Sequence, residues 1–161
     1  MDEIILREAD FKDAEIIYNL SNDKEVRKNS INRSPLDYEN HKKWLQLKLA
    51  DDNYKIYLFF IKKNFIGQVK FDIKSDSAIV GISLSENFRG KGYSTVILRI
   101  AIKKIFEIYG GVINIIALIR EDNQASVKSF LKSGFEFRDL EKINGEVFLK
   151  YSLKKSLYDH Q

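Results

Sequence analysis

Residues 83–98, SLSENFRGKGYSTVIL, change character in the middle of the segment. An apolar run typical of a strand ends before the loop, and a run with helical spacing begins at Tyr93. Between them Gly90 and Gly92 flank Lys91. Glycine tolerates positive φ angles and lets a ligand approach the backbone, and the N-terminus of a helix offers free N–H groups. The segment predicts a strand, an anion-binding loop and a helix, with a plain tight turn as the alternative reading of the loop.

The composition describes one ordinary globular domain. The chain has 161 residues, of which 44% are hydrophobic and 31% are charged, which suits a single core. Its 27 basic and 23 acidic residues are interleaved and leave a net charge of +4, so we expect neither nucleic acid nor membrane as a partner. The acidic N-terminus does not resemble a secretory signal, and no apolar run is long enough to span a membrane. We therefore expect a cytoplasmic protein.

The absence of cysteine limits the chemistry that the chain can perform. It excludes disulfides, cysteine-ligated zinc and a cysteine nucleophile. With two histidines, His41 and His160, we also expect no metal site.

The alternation of periodic segments predicts the order β-α-α-β-β-β-α-β-α-β-β. Asp10 and Asp37 precede helical patterns as N-caps, and a polar loop over 22–35 separates those two helices. Gly110-Gly111 is expected to end the central helix in a left-handed cap. We predict strands over 3–8, 54–61, 65–73, 77–84, 112–119, 135–138 and 147–153. The result is a mixed α/β sheet of about seven strands with about four helices on its two faces.

Two motifs in register carry a family resemblance. Residues 87–92, NFRGKG, match the pattern Gln/Arg-x-x-Gly-x-Gly/Ala, with Asn87 in place of the usual Gln or Arg. Downstream, Asn123, Phe130 and Gly134-Phe135 stand at the spacing of an Asn-led helix that ends in Gly-Phe. With the element order, these residues make the whole chain, 1–161, resemble a single domain of the GNAT acyltransferase superfamily.

The resemblance implies acetyl-CoA as cosubstrate. Backbone N–H groups of residues 89–94 would cradle its pyrophosphate, and the preceding strand would splay from residues 112–119 to admit the pantetheine arm. A backbone N–H near Leu84 or Ser85 would bind the oxyanion, and Asn123 would both cap its helix and reach the cofactor. The implied cofactor-binding residues are Leu84, Ser85, Arg89, Gly90, Lys91, Gly92, Tyr93, Ser94, Asn123 and Phe130.

The proton-transfer groups are less well defined. Phe130 replaces the tyrosine that many family members use as the acid, so either Ser126, one turn earlier, protonates the thiolate or the thiolate leaves unassisted. Glu86, His41 and Asp72 are the candidate bases. A solvated strand-end carboxylate and a packing histidine are the plainer readings of Glu86 and His41.

The acceptor is expected to be a primary amine. The chain is similar to GNAT enzymes that acetylate nucleotide-linked aminosugars, in particular a UDP-4-amino-4,6-dideoxy sugar on the route to pseudaminic acid. Trp44 would stack on a base or sugar, or else pack in the core, and Arg27, Lys28 and Arg33 would meet a diphosphate. The candidate substrate-binding residues are Arg27, His41, Trp44, Gln68 and Asp72. Alternatives are N-terminal acetylation of a ribosomal-type protein, aminoglycoside acetylation and a non-catalytic acyl-CoA-binding module, in a monomer or a homodimer.

Overall fold

The computed structural model describes residues 2–159, so His160 lies outside the described part of the chain. One sheet has the strand order β1-β2-β3-β4-β5-β7-β6. Its strands are β1 (Ile4–Glu8), β2 (Tyr54–Ile61), β3 (Asn64–Lys74), β4 (Ser77–Leu84), β5 (Asn114–Arg120), β6 (Glu136–Ile143) and β7 (Glu146–Lys154). All neighbours are antiparallel except β4 and β5. The predicted mixed α/β sheet of seven strands is confirmed.

The helices divide between the two faces of the sheet. They are α1 (Ala14–Ser21), α2 (Lys24–Asn29), α3 (Tyr38–Leu49), α4 (Tyr93–Ile108), α5 (Gln124–Lys132) and α6 (Lys155–Tyr158), with short 3-10 helices at Phe11–Asp13 and Glu86–Phe88. The larger core lies between the sheet and α4 and α5, where Ile97, Ala101 and Ile105 are fully buried. A smaller core joins α1 and α3 to β2 through Ile17, Leu45 and similar side chains. None of the described helices has the length and hydropathy needed to cross a membrane.

Side-chain caps fix where several helices begin. Asp37 accepts a bond from the N–H of Asn40 at 3.0 Å and starts α3, as predicted. Asp10 caps the 3-10 turn that leads into α1, in a reciprocal capping box with Asp13. Asp23 caps α2, which the sequence pattern did not predict.

Four predicted features differ from the structure. The expected loop at 22–35 contains α2, because Asp23 supplies a cap that its polar surroundings conceal. Gly110-Gly111 is not a left-handed cap: α4 ends at Ile108 with Tyr109 as its C-cap, and neither glycine has a positive φ. Strand β6 (Glu136–Ile143) runs five residues beyond the predicted end at 138, and α6 adds a helix after β7.

Candidate active site

The parallel strands β4 and β5 pair only at their first residues. Ser77, Ala78 and Ile79 face residues 114–116, and no pairing continues beyond them, although each strand stays paired with its other neighbour to its end. The two strands therefore diverge and leave a gap that widens toward Leu84. This is the splay that the family resemblance implies, and its edges carry unpaired backbone groups that an extended chain can join.

The loop at the open end of the gap has the predicted backbone. Gly90 and Gly92 have φ angles of 72° and 85°, in the left-handed region. No side chain caps α4, and the N–H groups of residues 90–94 have no hydrogen-bond partner within residues 2–159. An added Cβ on either glycine would meet nothing within 4 Å, so a ligand has room to approach. Free donors, open space and the helix dipole suit an oxyanion such as a phosphate.

The end of β4 directs one backbone donor into the gap. The N–H of Ser85 donates to the carbonyl of Ile66 at 2.9 Å, and the Ser85 hydroxyl donates to the carbonyl of Phe65 at 3.2 Å. Donors alternate along an antiparallel strand, so the N–H of Leu84 points away from β3 and toward β5. Leu84 thus has the N–H that faces the gap, whereas the N–H of Ser85, the other donor that the sequence analysis allowed, is taken up by the carbonyl of Ile66.

Gly67 brings β3 unusually close to this donor. It lies opposite Leu84 in the β3–β4 register. A Cβ at Gly67 would approach the Ser83 carbonyl oxygen to 2.5 Å and the Leu84 Cα to 3.3 Å. Only glycine permits this approach, so Gly67 helps to set the position of the Leu84 N–H.

The side chains of Arg89 and Lys91, two of the residues expected to bind the cofactor, are held by other groups of the protein. The guanidinium of Arg89 donates from Nε to the Leu84 carbonyl at 3.0 Å and from Nη2 to Asp23 at 2.8 Å. Lys91 donates to the carbonyl of Asn87 at 2.8 Å. The side chain of Arg89 is therefore a structural link, and the anion site is built mainly from backbone.

Other residues expected at the cofactor line the start of α4 and α5. The rings of Tyr93 and Phe88 meet edge to face, 5.7 Å apart. The hydroxyls of Ser94 and Ser129 share a hydrogen bond of 2.6 Å that joins α4 to α5. This contact holds the middle of α5 against the first turn of α4, which follows the loop.

Helix α5 offers one hydroxyl and one aromatic ring. The side chain of Asn123 accepts from the N–H of Ser126 and donates to its hydroxyl, at 3.3 and 3.0 Å, which confirms it as the cap of α5. The Ser126 hydroxyl keeps its own proton for donation. Phe130 is 3% exposed and packs edge to face on Phe135 at 4.9 Å. It supplies packing and no proton.

His41 and Trp44 share one face of α3, as their spacing predicts. Their rings lie 5.2 Å apart, and Tyr18 contacts His41 from α1. His41 is 6% exposed, and its Nδ1 is buried without a hydrogen-bond partner among the described residues. Burial, together with the charges of Lys70 and Arg27, lowers the pKa of His41 to about 4. A neutral, buried imidazole of such low basicity is a weak general base.

Lys70 is a site residue that the sequence analysis missed. It lies on β3, its Nζ sits 4.9 Å above the ring of Trp44, and it forms no ion pair within the described residues. Burial and the charge of Arg27 lower its pKa to about 8. The only signal in the sequence was a lysine among the apolar residues of β3. Lysines that point into solvent occur in strands in the same pattern, so the signal does not identify a site residue.

Arg27 lies between this face and solvent. Its guanidinium donates to the carbonyls of Ser21 and Asn32, while its Nε is buried and has no hydrogen-bond partner within residues 2–159. Gln68 is 1% exposed and donates to the Ser21 hydroxyl at 3.2 Å, and its Oε1 has no partner in the same range. Arg27, Gln68, His41 and Lys70 thus bring polar groups from three elements to one buried region.

Asp72 and Glu86 are placed less favourably as bases. Asp72 faces Ile79, where β4 and β5 are still paired, about 17 Å along the strand from Leu84. It pairs with Lys74 at 3.7 Å. Glu86 is exposed at the start of a 3-10 helix and borders a groove of about 550 Å³ with Lys63 and Phe65. Neither carboxylate is brought together with the polar groups around Arg27.

A second groove, of about 420 Å³, runs along α2. It is lined by Asn22, Lys24, Arg27, Lys28, Arg33 and Pro35. None of its four cationic residues forms an ion pair within residues 2–159. The same residues contain no group of three His, Cys, Asp or Glu side chains arranged to hold a metal ion.

Comparisons with known proteins agree with this geometry. The family model described as acetyltransferase (GNAT) domain matches residues 3–136. The structure of aminoglycoside acetyltransferase AAC(6')-Ib with coenzyme A is 16% identical, with a TM-score of 0.86 over 99% of each chain. Spermidine N-acetyltransferase from Vibrio cholerae, with CoA and spermine, is 21% identical, with a TM-score of 0.86 over 96% of this chain and 97% of that one.

A third similar structure is RimL, a ribosomal L7/L12 alpha-N-protein acetyltransferase in complex with coenzyme A. It is 22% identical, with a TM-score of 0.80 over 94% of this chain and 93% of that one. At these identities the likenesses establish the fold. A search of curated protein sequences gave no match.

Proposed function

The chain belongs to the GNAT acetyltransferase family and is an acetyl-CoA-dependent N-acetyltransferase, and we propose that its acceptor is a primary amine on an anionic molecule. The specific candidate is a UDP-linked 4-amino-4,6-dideoxy sugar. The observation that supports this proposal is the positive charge around Lys70 and Arg27, which we call the acceptor side. Family membership gives no support to the alternative of a non-catalytic binding module.

The acceptor side of the sheet carries positive charge without a matching carboxylate. Burial and the charge of Arg27 lower the pKa of Lys70, and burial lowers the pKa of Arg27. Neither cation has an acidic partner within the described residues. Removing a cation from water raises the free energy of the protein unless an anion lies close enough to compensate its charge. An acceptor that brings a phosphate or carboxylate would remove this cost, whereas a polycation would increase it.

The groove along α2 extends this charge outward. Lys24, Lys28 and Arg33 line it beside Arg27, and a diphosphate is the anion that several separated cations bind best. Trp44, half-buried beneath Lys70, offers an aromatic face near the inner end. A nucleotide diphosphate joined to a sugar has a charge that suits this surface.

The coenzyme is proposed to bind at the loop and in the gap. The N–H groups of residues 90–94 would hold the pyrophosphate, and the unpaired edges of β4 and β5 would hydrogen-bond to the pantetheine amides. The open space above Gly90 and Gly92 supports this placement, since both positions leave room for phosphate oxygens.

Acetyl transfer then needs no covalent enzyme intermediate. The bound thioester supplies an electrophilic carbonyl, the amine nitrogen attacks it, a C–N bond forms and the C–S bond breaks. The N–H of Leu84 would stabilise the developing oxyanion. The Ser126 hydroxyl would protonate the departing thiolate, in place of the tyrosine that Phe130 replaces, although a thiolate of pKa about 8.5 also leaves without help.

The fate of the amine proton follows from the same surface. The amine must lose one proton to become a nucleophile and a second after attack. His41 is a weak base and Asp72 lies far from Leu84. We therefore propose that solvent at the mouth of the gap takes these protons. Glu86, two residues after Leu84, is the carboxylate nearest to Leu84 in the sequence. Turnover should therefore rise with pH as the free amine is deprotonated.

Aminoglycosides and polyamines, the acceptors of two similar proteins, fit the acceptor side less well than an anionic molecule does. Aminoglycosides and spermine are polycations, and the described residues give their ammonium groups no cluster of carboxylates beside Trp44. A protein N-terminus, as in RimL, carries a single ammonium and remains the second candidate because a neutral or acidic peptide would tolerate the cations.

The test is release of free thiol from acetyl-CoA with a panel of acceptors. We expect turnover with the UDP-4-amino-4,6-dideoxy sugar, and at least about tenfold lower kcat/KM with the same sugar lacking the nucleotide, because the diphosphate contacts are then lost. Turnover only with an N-terminal peptide would move the function to protein acetylation. A preference for kanamycin or spermine would contradict the proposal of an anionic acceptor.

A further inference from the structure

Arg89 joins the coenzyme loop to α2. Its Nε donates to the carbonyl of Leu84 at 3.0 Å, and its Nη2 donates to Oδ1 of Asp23 at 2.8 Å. The same oxygen of Asp23 accepts the N–H groups of Glu25 and Val26, at 3.0 and 3.2 Å. One carboxylate oxygen therefore connects the end of β4 with the first turn of α2. Burial opposes ionisation, but the bonds from Arg89 and Val26 hold the pKa of Asp23 below its ordinary value.

A second arginine holds the other end of α2. Arg120, the last residue of β5, is 6% exposed and donates to the carbonyls of Ser30 and Ile31, both at 2.9 Å. It also pairs with Glu146 and lies 4.8 Å above the ring of Phe148. The C-terminal end of α2 is thus fixed to the strand on the opposite side of the gap.

Helix α2 depends on these two attachments. It has six residues, none of them buried, and so short a helix is not stable without tertiary contacts. Arg89 follows β4 and Arg120 ends β5, so α2 bridges the two strands at the end of the sheet where they diverge. Asp23 and Arg89 therefore form a direct contact between the loop and the N-terminus of α2.

We propose that the Asp23–Arg89 ion pair couples the two substrate sites, so that coenzyme A bound at the loop stabilises α2 and an acceptor bound along α2 tightens coenzyme A. The inference rests on the proposed placement of coenzyme A. Ordering the loop fixes Arg89, and Arg89 fixes the N-terminus of the helix whose cations line the acceptor groove. Coupling between two sites is reciprocal, and Asp23 and Arg89 act in it as positioning residues.

The experiment is amide hydrogen exchange of the full chain with and without saturating coenzyme A. In the wild type we expect the amides of residues 27–30 to exchange at least about fivefold more slowly when coenzyme A is bound. Asp23→Asn keeps a good capping side chain but loses the charge that pairs with Arg89. In this variant we expect the slowing to fall below about twofold, while calorimetry still detects coenzyme A binding.

Two further variants separate coupling from stability. Asp37→Asn changes the equivalent cap of α3, which has no arginine partner within residues 2–159, and should leave the slowing unchanged. Arg89→Lys keeps a positive charge, but a lysine cannot hydrogen-bond to the Leu84 carbonyl and to Asp23 at the same time. The slowing of amide exchange in α2 by coenzyme A should therefore be lost. A purely structural role would instead change α2 exchange equally with and without coenzyme A.

The outcomes distinguish this inference from the proposed function. Wild-type binding of coenzyme A with no slowing at α2 would overturn the coupling alone. Full slowing in Asp23→Asn would overturn it as well. Failure of the wild type to bind coenzyme A would overturn both the coenzyme placement and the coupling.

Discussion

The two sides of the proposed site, one for the coenzyme and one for the acceptor, are formed by different parts of the chain. The coenzyme side consists of backbone: two glycines in the left-handed region, unpaired N–H groups at the start of α4 and a gap between β4 and β5. The acceptor side consists of side chains from α1, α2, α3 and β3. A site formed by backbone groups needs particular φ angles and therefore accepts few residue types. In a site formed by side chains, substitutions can change the specificity without changing the fold. The predictions below test this difference.

The largest effect is expected at the coenzyme loop. Gly90→Val or Gly92→Val places a β-branched residue at a φ of 72° or 85° and fills space that phosphate oxygens need. We expect coenzyme A affinity to fall at least about 100-fold by calorimetry. Unchanged affinity would contradict the placement of the pyrophosphate.

A matched control separates strain from ligand binding. Gly145, in the β6–β7 turn, has a φ of 80° and also has nothing within 4 Å of an added Cβ. Gly145→Val should therefore lower the melting temperature by an amount similar to the loop variants. It should leave coenzyme A affinity within about twofold, because no ligand is proposed there.

The next effect concerns the oxyanion donor. Gly67→Ala would force the Ser83 carbonyl and Leu84 to move, since the new Cβ would lie 2.5 Å from that oxygen. We expect kcat to fall about 10- to 100-fold with little change in coenzyme A affinity. Gly110→Ala, at a position with open space, is the control. If Gly67→Ala keeps full kcat, the Leu84 N–H is not a critical donor.

The same division explains what could be predicted from the sequence. The seven strands, the start of α4, the positive φ angles of Gly90 and Gly92 and the cap at Asn123 follow from local patterns and are confirmed. The length of β6 and the cap at the end of α4 were predicted wrongly. Gly67 could not be recognised, because its close approach to Leu84 depends on pairing between separate strands. The pairing of Arg89 with Asp23 spans 66 residues, and no local pattern reveals a contact at that separation. The identities of the acid and base stay predictions, since several elements decide them together.

A smaller, pH-dependent effect is expected on the acceptor side. Burial and Arg27 lower the pKa of Lys70 to about 8, so its charge is present at pH 7 and is lost as the pH rises through about 8. We expect the KM for an anionic acceptor to rise over that range in the wild type. Lys70→Met should raise KM about tenfold at pH 7 and remove most of this pH dependence.

The control for Lys70 is another lysine above an aromatic ring. Lys42 lies 4.9 Å from the ring of Tyr38 but has a carboxylate partner, Glu39, at 3.1 Å. Lys42→Met should change KM by less than about twofold, as expected for an exposed pair. Equal effects of the two substitutions would show that general positive charge, rather than Lys70 itself, attracts the acceptor.

The smallest effect on turnover is expected at His41. Burial, followed by the charges of Lys70 and Arg27, lowers its pKa from 6.5 to about 4, so the folded protein binds fewer protons than the unfolded chain between those values. The free energy of unfolding should therefore fall as the pH drops from about 6.5 to 4, by roughly 1 to 3 kcal/mol. His41→Phe keeps a ring against Trp44, should remove this component and should leave kcat within about threefold. Denaturant titrations at pH 7 and pH 4.5 measure the first expectation, and a loss of kcat above about 30-fold would restore His41 as the catalytic base.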